Sequence, residues 1–205
     1  MRRFAAGLLV GVVSLLILAE LLVPAYLEEK VAGRLTEDGG SADVSLSAFP
    51  AVRLVAGDGD RFEVRGRGLR FVPGRGEQML GRLDGFDEVS LEVVDLSVGP
   101  VEASRFTLRR SRSDEPYRVS MEGRIAAREA IKLIGSQAGG ALGGIAGDLA
   151  GDALPGGDVQ LPLTVHAELV SRGGRAEVVR TKATVAGLPA GPIAELVVSA
   201  VVADL

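Results

Sequence analysis

Apolar residues run almost unbroken from Phe4 to Ala19 and resume after Glu20 with Leu21, Leu22 and Val23, directly behind Arg2 and Arg3. From Tyr26 the period changes. Leu27, Val31 and Leu35 fall on one helical stripe, with Glu28, Glu29, Lys30 and Arg34 on the other faces, which predicts an amphipathic helix over 26–35. Thr36 to Ser41 interrupts it, and Val44, Leu46 and Ala48 then alternate with Asp43, Ser45 and Ser47 as in a half-buried strand. Phe49-Pro50 ends that strand. Pro50 opens a short helix whose apolar side is Val52, Leu54 and Val55, stopped by Gly57-Asp-Gly.

Strand periodicity returns at Phe62 and Val64, opposed by Glu63, Arg65 and Arg67. Gly66 and Gly68 follow, and Leu69 and Phe71 resume the apolar set one residue out of phase, as a glycine-assisted bulge would require. The same slip recurs between Val89, Leu91, Val93 and the displaced pair Leu96, Val98. Two slips predict a bent sheet. A hairpin follows, with Phe106 and Leu108 on one arm, Val119 and Met121 on the other, and a polar tip over Arg109 to Pro116.

Ala126 to Ile134 suggests a short helix. Beyond it Gly139, Gly143, Gly147 and Gly151 recur at intervals of four, and each interior glycine costs a helix about 1 kcal/mol relative to alanine. Val159, Leu161, Leu163, Val165, Ala167 and Leu169 alternate strictly as a long strand, which Gly173-Gly174 turns into a second strand through Val185. Pro192 to Leu205 reads as an apolar terminal helix, with strand as the alternative because of its β-branched valines. About six strands with a helix at each end make an α+β fold built on a long bent antiparallel sheet.

The basic, apolar start is a membrane-targeting segment. Arg2 and Arg3 hold the N-terminus on the cytoplasmic side, so the rest of the chain belongs on the extracytoplasmic side of the plasma membrane. The run is close to the minimum of about 20 residues for a bilayer span. Residues 1–25 therefore form either a signal anchor or a signal peptide cut after Ala25, and 26–205 form a single exported domain. Cysteine is absent, so that domain is held by its core without disulfides. A net charge of -4 without long basic blocks sets nucleic acid aside as a partner.

Candidate chemistry is sparse. The one histidine, His166, sits on the polar phase of a strand without a nucleophile motif, and solvent-facing sheet surface is its simplest account. The pairs Gly57-Asp-Gly, Gly66-Arg-Gly and Gly74-Arg-Gly lack the context of a dinucleotide fingerprint. Asp58 with Asp60, and Asp148 with Asp152, lack calcium-loop spacing and suit turn and helix solvation instead. No catalytic residue, metal or cofactor is expected. Arg105, Arg109, Arg110, Arg112 and Arg118 cluster on the hairpin; guanidinium groups suit phosphate, although a solvated tip explains them too. The glycine-spaced segment is either a connector or a mobile cover over an apolar cavity.

The order of features resembles the LmeA-like phospholipid-binding proteins of actinobacterial envelopes. The likeness rests on the N-terminus, the helix ending Val-Ala-Gly-Arg-Leu, and Asp43-Val-Ser-Leu-Ser-Ala-Phe-Pro. It extends to Phe62-Glu-Val-Arg-Gly-Arg-Gly-Leu, the Val89 to Val98 strand and Gly187-Leu-Pro-Ala-Gly-Pro-Ile-Ala-Glu-Leu. It implies a tubular lipid-binding (TULIP-like) module in which a bent sheet wraps a helix around an apolar trough. The implied function is non-enzymatic phospholipid binding in support of glycolipid or lipoglycan assembly. Candidate trough walls are Phe62, Val64, Leu69, Phe71, Leu91, Val93, Leu161, Leu163 and Val165, each of which also suits an ordinary core, and candidate headgroup contacts are Arg105, Arg109, Arg110 and Arg112. The alternative is a membrane-anchored scaffold for an envelope glycosyltransferase that holds no lipid.

Overall fold

The computed structural model describes residues 2–71, 79–130, 159–173 and 175–189; for 2–17, Ala19, Phe71, 79–80, 175–176 and 188–189 it describes the backbone only. Helix α1 spans Arg2–Leu35, so the apolar run and the amphipathic helix form one element that passes through Pro24 and Ala25 without a break. The expected stripe is present: Val23, Leu27 and Val31 pack on the core and Leu35 is buried within it. Strand β1, Ser41–Ser47, returns alongside α1 in the opposite direction. Two hydrogen bonds set that alignment, from the Leu46 N–H to Glu28 Oε1 at 2.8 Å and from the Ala51 N–H to the Glu20 carboxylate at 2.9 and 3.0 Å.

A 3-10 helix covers Ala51–Ala56, with Pro50 before it and Gly57 in left-handed backbone after it, as the Pro and Gly positions predict. Its apolar side differs from expectation. Ala51 and Leu54 are buried, whereas Val52 and Val55 point to solvent, because a three-residue period leaves room for only one inward ridge.

The remaining strands are β2 (Gly59–Arg67), β3 (Arg70–Phe71), β4 (Phe86–Val98), β5 (Val101–Arg110), β6 (Tyr117–Ala126), β7 (Gln160–Arg172), β8 (Arg175–Val185) and β9 (Leu188–Pro189). A short helix α2, Met79–Leu83, precedes β4 and was not legible in the sequence. Among the described residues these strands form one nine-stranded sheet in the order β1-β2-β4-β5-β6-β7-β8-β9, with β3 beside β4. The sheet is mostly antiparallel rather than wholly so: β2 and β3 pair parallel with β4, because the chain crosses over through α2 between them. The hairpin pairs as expected, Phe106 with Met121 and Leu108 with Val119.

Both register slips exist, in a form different from a bulge in each strand. Between Arg67↔Val94 and Arg70↔Ser97, Gly68 and Asp95 lie at one level and both take left-handed backbone, at φ 64° and 57°. Two neighbouring strands thus step together, and the pairing between them keeps its register. Ser104 lies at the same level on β5, and there the β5–β6 pairing does shift; its hydroxyl donates to the Glu122 carbonyl at 3.0 Å. These residues form a transverse crease.

The crease keeps one face apolar on both sides of the bend. The row Val44, Val64, Leu91, Leu108, Val119 and Ala167 crosses six strands and is buried throughout; past the crease Leu69, Leu96, Ala103 and Leu163 continue it. The neighbouring row on the other face reads Ser45, Glu63, Ser90, Arg109, Arg118 and Glu168.

Gly123 lies beside the crease, where an added Cβ would stand 2.4 Å from the Glu102 carbonyl oxygen and 2.8 Å from the Ala103 Cα. Gly123→Ala is expected to cost about 1–3 kcal/mol by overpacking. Gly33, with nothing within 4 Å of such a Cβ, is expected to gain about 1 kcal/mol as alanine. Denaturant unfolding of the two variants, with shifts of opposite sign, checks the crease.

Candidate functional site

The sheet brings the expected wall residues to one face and makes them core. Val64, Leu69, Leu91, Val93, Leu163 and Val165 are all buried, whereas Phe62 and Leu161 are half-buried at the margin. Phe62 meets Phe86 edge-on, with ring centroids 5.3 Å apart. The Phe71 side chain lies outside the described residues.

The arginines do not form one site. Arg105, Arg109 and Arg112 are exposed, and Arg105 and Arg109 stand on the polar face, separated from the walls by the thickness of the sheet. Arg112 pairs at the tip with Asp114 at 3.2 Å and Glu115 at 3.7 Å. Arg110 departs from the expectation of a headgroup contact. It follows Leu108 in the strand's inward phase and is only 5% exposed. Its guanidinium lies 4.4 Å over the Tyr117 ring and donates to the carbonyl oxygens of Leu83, at 3.0 Å, and of Phe86. Its Nη donors are taken by protein acceptors and its Nε is buried without a hydrogen-bond partner, so Arg110 points away from any surface headgroup.

Asp84 ties this end of the apolar face together. It accepts from Arg110 Nη1 at 3.4 Å, from the Tyr117 hydroxyl at 3.0 Å and from the Ser171 hydroxyl, linking the turn after α2 to β5, β6 and β7. Burial pushes the Tyr117 phenol well above its ordinary value; the nearby Arg110 cation opposes the rise, and the Asp84 carboxylate adds to it. No signal in the sequence marked this cluster, because Asp84, Arg110, Tyr117 and Ser171 lie on four separate segments.

On the polar face Arg109, Arg118, His166, Glu168, Arg180 and Lys182 border an open groove of about 670 Å³. Arg109 and Arg118 stand directly opposite each other across β5 and β6, and like charges so placed repel. Arg180 and Arg109 reach Glu168 and Glu92 only at 3.8 Å, while among the described residues Arg118 and Lys182 have no ion-pair partner. His166 is exposed, as its phase in the strand predicts. Ser120 is its cross-strand neighbour, but no hydrogen bond joins them.

The end of the sheet at which α1 arrives, which also holds Asp84 and Arg110, has a second constellation. Glu20, the acid that interrupts the apolar run, accepts the Ala51 N–H and so holds the 3-10 helix against α1. Arg53 binds Asp58 at 3.1 Å and Asp60 at 2.8 Å, and Asp60 also accepts the Phe49 N–H at 3.0 Å. The Asp58 and Asp60 carboxylates thus serve the turn, as turn chemistry implies, and among the described residues no cluster suits a metal ion. The β5–β6 tip and the β7–β8 turn lie at this same end, because Ser47 pairs with Arg61, Arg61 with Glu88, and Val89 with Arg110.

The chain matches no family model, no curated protein and no solved structure. Among the described residues no helix is long and apolar enough to cross a membrane, and the side chains of 2–17 lie outside them. Asp148, Asp152, the glycine-spaced segment from Gly139 to Gly151 and the terminal Pro192 to Leu205 also lie outside; of the Ala126 to Ile134 helix, residues 127–130 are described and helical.

Two measurements check the buried cluster. Arg110→Met leaves the Asp84 carboxylate without its cation and is expected to cost about 3 kcal/mol in urea unfolding, whereas the exposed Arg112→Met is expected to change stability by under about 0.5 kcal/mol. For Tyr117, the folded state holds the phenol proton more tightly than the unfolded chain. Its contribution is complete below about pH 10 and falls above it by up to about 1.4 kcal/mol per pH unit. Tyr117→Phe is expected to flatten that alkaline slope in unfolding midpoints taken from about pH 9 to about pH 11.

Proposed function

We propose that this chain is a non-enzymatic phospholipid-binding protein tethered to the extracytoplasmic side of the plasma membrane, where it supports the assembly or handling of envelope glycolipids. One observation carries the reading: a single apolar face, maintained across a creased sheet, is joined without interruption to a helix that begins as a bilayer-length apolar run. A face of that extent holds acyl chains by the ordinary transfer energy of about 0.8 kcal/mol per methylene. The sequence resemblance to the LmeA-like proteins, which implies a TULIP-like trough, supports it. The unbroken passage of α1 through Ala25 favours a retained anchor over a cleaved signal.

In this reading the exposed Arg109, Arg112 and Arg118 meet anionic headgroups, and Arg110 is structural.

A second reading has its own support. The wall residues Val64, Leu69, Val93, Leu163 and Val165 admit almost no solvent, while the open groove lies on the polar face. That arrangement suits a scaffold that presents its outer face to an envelope glycosyltransferase. Native mass spectrometry of the full chain, released gently from membranes, separates the two. A phospholipid adduct that survives detergent exchange is expected; a clean chain mass accompanied by a stable protein partner replaces the lipid reading with the scaffold.

A further inference from the structure

Phe49, Val52 and Val55 are 79%, 58% and 68% exposed, on a turn that is otherwise firmly held. The backbone beside Phe49 is pinned from three directions, by Asp60 on its N–H, by Arg53 on its carbonyl at 3.4 Å, and by Glu20 on the Ala51 N–H. Leu18, Leu21, Leu22 and Tyr26 on the adjoining stretch of α1 are exposed as well. Apolar side chains grouped in this way on a rigid turn mark a contact surface.

The depth of that surface follows from α1. A hydrocarbon core about 30 Å thick takes about 20 helical residues. Counted from Phe4, behind Arg2 and Arg3, the span ends at Val23. Glu20 then sits about one turn inside the outer boundary, where an unpaired carboxylate is costly. It is not unpaired: it accepts the Ala51 N–H, which brings the 3-10 helix to its own level. Tyr26, one turn beyond Val23, takes the headgroup level that its amphipathic ring suits.

We propose that the Phe49–Val55 turn is a membrane-inserting wedge, in which Phe49, Val52 and Val55 enter the acyl–headgroup boundary of the outer leaflet beside α1, with Glu20 as the positioning residue. The occupant of this surface is bilayer phospholipid. The wedge rests on the reading of α1 as an anchor and adds a second, side-on contact that fixes how the sheet stands on the membrane. Interfacial insertion of this kind is driven by buried apolar area.

The chain contains no tryptophan, so one introduced indole reports its own surroundings. Phe49→Trp, Val52→Trp, Leu18→Trp and Val179→Trp, each in the full chain, are reconstituted into phosphatidylcholine–phosphatidylglycerol vesicles with and without bromine on the upper acyl chain. Val179 is exposed on β8, six strands across the sheet from β1. The expected result is blue-shifted emission lost to bromine at positions 18, 49 and 52, and unquenched emission at 179. Quenching at 18 without quenching at 49 or 52 overturns the wedge and leaves the anchor standing. Blue-shifted but unquenched emission at 49 and 52 places a protein surface there, a second copy included, and also overturns it. No quenching at any position overturns the anchor and the wedge together.

Discussion

A strand shows alternate side chains to opposite faces, so a long sheet that bends must either expose part of its apolar face or step its alternation at the bend. This chain steps. Gly68 and Asp95 take left-handed backbone at one level of the parallel pair, and Ser104 is the bulged residue beside them. Because β2, β3 and β4 step together, pairing continues through the bend and the apolar rows stay on one side. Without the step in β4, Leu96 and Val98 would turn outward and leave the core open past the crease.

One end of that face, the end at which α1 arrives, is closed by polar chemistry. Near the arrival of α1, Arg110 enters the core with Asp84, Tyr117 and Ser171 as partners, and its guanidinium caps carbonyl oxygens of the α2–β4 connection. A charge so far from water is tolerable only because a carboxylate, an aromatic face and backbone oxygens surround it. Glu20 applies the same logic at this end, where a carboxylate within an apolar run is matched to a backbone N–H of another segment. Both acids join pieces of chain that sequence keeps apart.

Much of the β-architecture was legible in the residues. The hairpin of β5 and β6, the long alternating β7, the stripe of α1 and both register slips follow from period and from glycine placement, which are local properties. The polar outward phase of His166 and the turn roles of Asp58 and Asp60 were legible for the same reason. The parallel pairing of β2 with β4 was not, since partner choice depends on where a crossover lands. Nor were the outward Val52 and Val55, because three apolar residues in six do not say which one a 3-10 turn buries. The hairpin arginines divided for a reason that strand phase contains: Arg109 and Arg110 are adjacent, and adjacent strand residues cannot share a face.

By itself the sequence determined that the chain begins with a bilayer-length apolar run behind two arginines, that its body is α+β without disulfides, and which strand positions are apolar. These are consequences of hydropathy and backbone period, which act within a few residues. Only the tertiary structure decided that Arg110 is a core residue, that the interrupting Glu20 belongs to the 3-10 turn, and that Phe49, Val52 and Val55 stand exposed beside α1. Each of these depends on hydrogen bonds or packing between segments distant in the chain, and no local pattern contains the geometry that brings such segments together.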